Sequence, residues 1–109
     1  MAAQFPEVAP AALTGAAATY YTVAANRKLL RAKIYLCNTS LAAVTCSVYA
    51  VPNGGSVAVA NQIFAGSVDG LESKELDVCL NLATGGTIQA LAATAAVIGV
   101  RIAPIEQVV

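Results

Sequence analysis

The run KLLRAKIYLCN, Lys28 to Asn38, decides the fold. At every second position it places Leu30, Ala32, Ile34 and Leu36 on one side and Arg31, Lys33, Tyr35 and Cys37 on the other. That period belongs to a strand with one face in a core and one in water. Arg27, Lys28, Arg31 and Lys33 are four of the chain's six cations, so one short segment holds core and charge together. No catalytic motif occurs here or elsewhere.

The flanks repeat the pattern. Ala18 to Ala24 sets Tyr21 and Val23 against Tyr20 and Thr22, and the Asn26 and Arg27 pair reads as a turn, which predicts a hairpin with the organising strand. Val44 to Val51 opposes Val44, Cys46, Val48 and Ala50 to Thr45, Ser47 and Tyr49. Pro52 to Ser56 is a turn, since proline presets one dihedral and glycines supply positive ones. It is no phosphate loop, because no lysine or amphipathic helix follows the glycines. Asn61 to Gly66 is a short strand around Ile63, and Val68 to Leu71 is a loop. Glu72 to Leu80 sets Leu76, Val78 and Leu80 against Glu75, Asp77 and Cys79, and Ala83 to Gly86 turns the chain again. Thr87 to Ala92 and Val97 to Ile105 then carry Ile88, Ala90, Ile98, Val100 and Ile102 inward and Arg101 outward.

Seven or eight short strands with Gly and Pro punctuation predict an all-β fold, an antiparallel two-sheet sandwich of the jelly-roll kind. Helical periodicity is weak. Residues 1–12, with Pro6 and Pro10, form an arm or edge strand, since proline lacks the donor a central strand needs. The domain proper is 13–109. Phe5, Val8 and Leu13 make the arm apolar enough to lie across a neighbouring subunit.

Composition bounds function. With 109 residues the chain is one domain, burying about 65% of its unfolded surface. Charged residues are 11% of the chain against 58% hydrophobic, far below the roughly 25% charged of a typical soluble protein. Part of the surface is therefore expected to be covered in an assembly. Net charge is zero, which removes the long-range attraction behind non-specific nucleic-acid binding; no nucleic-acid partner is expected. Val78 to Val100 is uncharged and long enough to cross a bilayer, but Asn81, Gly85, Gly86, Thr87, Gln89 and Thr94 divide it, so no membrane partner is expected. The amino terminus has no basic start or unbroken apolar run and does not read as a signal peptide.

There is no histidine, and Cys37, Cys46 and Cys79 have no C-x-x-C spacing. A Cys/His zinc site, a histidine-activated nucleophile and any cofactor are accordingly not expected. The thiols read as those of a protein made in a reducing compartment. Asp77 beside Cys79 would raise a thiol's pKa rather than activate it. The acids Asp69, Glu72, Glu75 and Asp77 match no calcium loop; they form either a solvated edge or a patch complementary to Arg27, Lys28, Arg31 and Lys33 within or between subunits. Tyr20, Tyr35 and Tyr49, outward on three consecutive strands, are a candidate aromatic patch beside Arg31 and Lys33, and Tyr and Arg are common interface anchors. The interface candidates are thus Phe5, Val8, Tyr20, Arg31, Lys33, Tyr35, Tyr49, Glu75 and Asp77.

The runs YTVAAN (21–26), IYLCNTS (34–40), SVYAVPNGGS (47–56) and GGTIQA (85–90) resemble a family of small β-sandwich virion proteins of tailed bacteriophages, over roughly residues 20–106. That family often has proline after its TyrThrVal and an AsnAlaGlyAsp-like turn, where this chain has Ala24 and AlaThrGlyGly. The resemblance implies a structural part of a virion, made in the host cytoplasm. A head-decoration (cement) protein comes first, commonly a homotrimer, with the major capsid protein or other virion proteins as partners. A tail, neck or fibre component and a lectin-like host-recognition module are the alternatives.

Overall fold

In the computed structural model, which describes residues 3–109, the organising run lies within the twelve-residue strand Arg27–Asn38 (β4). Ala3–Gln4 (β1), Ala11–Ala12 (β2) and Ala18–Thr22 (β3) precede it. Val44–Val51 (β5), Gln62–Val68 (β6), Ser73–Leu82 (β7), Thr87–Ala92 (β8) and Ile98–Val108 (β9) follow, with a single 3-10 turn at Val59–Asn61. One sheet has the order β1-β9-β4-β7, with β2 also on β9, and the other has the order β3-β8-β5-β6. Every pairing is antiparallel. From β2 onward every connection except the β5–β6 hairpin crosses between the sheets, which is the jelly-roll arrangement. The expected two-sheet sandwich is the observed one, with seven full strands and an edge shared by two short ones.

The expected hairpin between β3 and β4 does not form. The Val23 N–H donates to the Gly86 carbonyl (2.8 Å) and the Gly85 N–H to the Val23 carbonyl (3.0 Å), holding the end of β3 to the turn that leads into β8. Asn26, at φ 59°, then swings the chain to the opposite sheet. Alternation reveals which side chains face the core, but β3 and β4 face it from opposite sides, and alternation cannot distinguish that from pairing.

Register shifts interrupt the ladders. One falls between Leu29 and Arg31 against both β7 and β9. The extra residue puts Leu29 in the core and leaves Leu30 half-buried, the reverse of the sequence expectation. Another, between Val48 and Tyr49, leaves Ile63 of β6 without a partner, while β5 stays in register with β8, with Ala50 opposite the buried Ile88 and the last residue, Val51, also buried. Elsewhere the expected inward residues hold: Ala32, Ile34, Leu36, Ile88, Ala90 and Ile98 are buried between the sheets. Each fully buried Leu, Ile or Val contributes about 1.5–3 kcal/mol.

The turns follow their sequence. Gly54 sits at φ 80° with the Gly55 N–H bonded to the Pro52 carbonyl (2.9 Å), the type II geometry that demands glycine. Residues 78–100 resolve into the end of β7, all of β8 and the start of β9. No helix among the described residues is long and apolar enough to cross a membrane.

Residues 3–12 lie along β9 of their own chain. β1 pairs with Glu106 and Gln107, β2 with Gly99 and Val100. Met1 and Ala2 of the expected arm fall outside the described residues. The Ile98 carbonyl accepts from Leu13 on the arm side, and the Val109 N–H donates to Asn26 on the β4 side. Backbone groups alternate along a strand, so Pro104 turns its missing N–H toward the arm, into the gap between β1 and β2. A proline thereby sits in a long inner strand without costing the β4 ladder a bond.

Candidate interaction surface

The outer face of the first sheet gathers most of the expected interface residues. Outward positions of β4 lie beside those of β7, so Arg31 reaches Asp77 diagonally and Lys33 reaches Glu75. Arg31 Nε donates to Asp77 Oδ1 (2.8 Å) and Nη2 to Oδ2 (2.6 Å), a two-pronged pair that reads the planar carboxylate. Lys33 Nζ lies 3.2 Å from Glu75 Oε1. The Arg31 hydrogen bond holds the Asp77 carboxyl below its ordinary range, and Arg31 is raised in return. Lys33 is likewise raised, first by its hydrogen bond to Glu75. Half of each expected cluster therefore meets within one chain, on neighbouring strands, while Arg27 pairs with Glu106 instead.

Beside these pairs lies a groove of about 620 Å³, walled by Phe5 and Pro6 of the arm and by Arg31, Lys33 and Asp77, with Ala103 to Ile105 of β9 along it. Phe5 is 73% exposed. A second hollow, about 220 Å³, runs past Pro10, Tyr35, Cys37 and Arg101. This face offers paired charges and apolar hollows, which suit contact with a protein surface.

Three expected members fall elsewhere. Tyr20 and Tyr49 belong to the second sheet, Tyr35 to the first, so the aromatic patch does not form. Tyr20 is half-buried with its hydroxyl donating to the Ala12 carbonyl at 3.4 Å, and Tyr49 lies half-buried opposite Gln89. The patch fails because β3, β4 and β5 alternate between sheets instead of lying side by side. Val8 is half-buried against the core of its own chain.

Sequence reasoning missed Glu106. Its carboxylate is 1% exposed between the sheets, accepts from the Tyr21 hydroxyl, and lies 3.1 Å from Arg27 Nη1. Burial raises its pKa, opposed by a backbone hydrogen bond from Ala24. The residue clamps β9, β3 and the start of β4 together. The signal was present: Ile98, Val100 and Ile102 are inward, and the same phase continued to 106 is inward too.

No protein-family model matches the chain, and no curated protein matches it in sequence. Solved structures share its fold, two of them as follows. One, from a study of Bacillus endospore appendages described as a family of disulfide-linked pili, superposes with a TM-score of 0.64 at 16% identity over 98% of this chain and 88% of that one. The other, the Tobacco streak virus coat protein dimer, gives 0.53 at 12% identity over 99% and 85%. At such identities the likeness is one of fold.

Proposed function

We propose that the chain is a structural subunit of a tailed-phage virion, a head-decoration protein that binds across joints between capsid subunits and reinforces the shell. The observation that carries this reading is the distribution of charge: the strands of the second sheet hold none, while the outer face of the first holds two ion pairs, Arg31 with Asp77 and Lys33 with Glu75. An uncharged sheet suits burial against protein, and pairing offsets part of the desolvation cost of covering the charges on the other. Both structural neighbours come from assemblies, a pilus and a viral coat, which supports an assembling role. The mechanism is adhesion: added interfaces must break before the shell yields. An antibody raised against the chain, applied to particles from the source lysate, tests it by electron microscopy. Label on phage heads is expected; label confined to tails or absent from particles contradicts it.

A second reading, a subunit of a cross-linked surface filament, is favoured by Cys37 and Cys79, both exposed thiols on the outer face of the first sheet. Native material that runs as reducible ladders on a denaturing gel would favour it over decoration.

A further inference from the structure

Each sheet has two edges, and three of the four edges in the molecule are guarded. β1 and β2 are two residues each and are separated by Pro6 and Pro10. β7 carries Glu75 and Asp77 outward and places Lys74, opposite the buried Leu36, in its inward-facing phase, a charge that a strand docking there would have to bury. β3 is five residues long, shifts register between Thr19 and Tyr21, and has the Tyr20 hydroxyl tied to Ala12. β6 differs. Its seven residues, QIFAGSV, contain no charge and no proline.

The direction of its free hydrogen-bonding groups follows from the ladder. The Thr45 carbonyl accepts from Ala93 on the β8 side, so Val44, Cys46 and Val48 turn their backbone groups toward β6. Their partners Val68, Gly66 and Phe64 turn back toward β5. Ala65 and Ser67, beyond the register shift at Ile63, therefore present N–H and C=O outward, and no other backbone group among the described residues meets them. A row of such groups takes another strand.

We infer that the β6 edge is a self-association site that pairs antiparallel with β6 of a second copy, centred on Ala65, joining two four-stranded sheets into one of eight strands. The occupant is a second β6 because it is the one unguarded edge that another copy can offer. No charge opposes its counterpart across the two-fold axis, where Ala65 meets Ala65 and Phe64 meets Gly66. This deepens the assembling role proposed above and rests on it.

Three variants of the full chain test the site. Ala65→Pro removes an outward N–H without touching the bonds to β5, and Ala65→Lys sets like charges together on the axis. Loss of the two central hydrogen bonds should weaken self-association about thirtyfold, at about 1 kcal/mol each, while circular dichroism stays that of the wild type. Ala65→Cys, with Cys37→Ser and Cys79→Ser, should oxidise to a covalent dimer, since hydrogen-bonded pairs hold Cα atoms about 5.5 Å apart, within disulfide range. A folded Ala65→Cys variant that stays monomeric on a non-reducing gel overturns the site, as does a Lys variant that assembles as the wild type does. A wild-type mass of three copies also overturns it, since a trimer has no two-fold axis, yet leaves the assembling role standing; a wild-type monomer removes both.

Discussion

The two sheets of this sandwich divide the chemistry of the surface unequally. All six cations lie in β4, β7 and β9 of the first sheet, with Glu75, Asp77 and Glu106, whereas β3, β5, β6 and β8 contain no ionisable acid or base of the Asp, Glu, Lys or Arg kind. The cores facing each other are alike in being aliphatic. The division shows that charge here serves to guard edges and tie strands on one side, leaving the other side free to be covered.

The largest expected effects ignore the division. Ile34→Ala in the first sheet and Ile88→Ala in the second each empty a buried site, and each should cost about 2–5 kcal/mol in denaturant unfolding. A cost confined to one sheet would show that the second layer is not part of the same cooperative core. Next comes the arm. Deleting residues 1–12 strips β1 and β2 from β9 and uncovers Val8's packing partners, an expected loss of about 2–4 kcal/mol from a few hydrogen bonds and one apolar side chain. An unchanged melting transition would make the arm an appendage whose contacts matter only between subunits.

Smaller effects separate Glu106 and Asp77, two of the carboxylates of the charged sheet. Burial raises Glu106, so its contribution to stability is complete below the unfolded value of about 4.3 and declines as pH climbs through the higher folded value. Glu106→Gln should flatten that decline in melts followed from acid to neutral pH. Asp77 is lowered by Arg31, so its contribution is present above about 3.9 and is lost as pH falls through the lower folded value. Asp77→Asn or Arg31→Ala should give the smallest change of the set, one that vanishes in high salt because the pair is exposed. A large, salt-insensitive loss would mean that this face is already covered.

Much of the fold was legible because periodicity is a local property. Leu36, Val48, Ile88 and Ile98 show their direction to anyone reading every second residue, and the Pro52 and Gly85 turns show their chemistry. Leu30 was misplaced because a bulge shifts phase without a sequence mark: nothing in Leu29-Leu30 says which leucine is the extra one. The β3–β4 hairpin and the tyrosine patch failed for a different reason. Pairing partners in a jelly roll are far apart in sequence, β4 with β9 and β3 with β8, and the turn at Asn26 suits a hairpin as well as a crossing. The ion pairs were half legible, since opposite charges on two amphipathic strands invited a meeting but left open whether one chain or two would supply it.

Sedimentation equilibrium of the full chain over a micromolar concentration series tests the central claim, that this neutral, sparsely charged sandwich is a unit of an assembly. The account predicts a mass that is a multiple of 11.0 kDa and grows with concentration. A single species of 11.0 kDa across the whole series would contradict it.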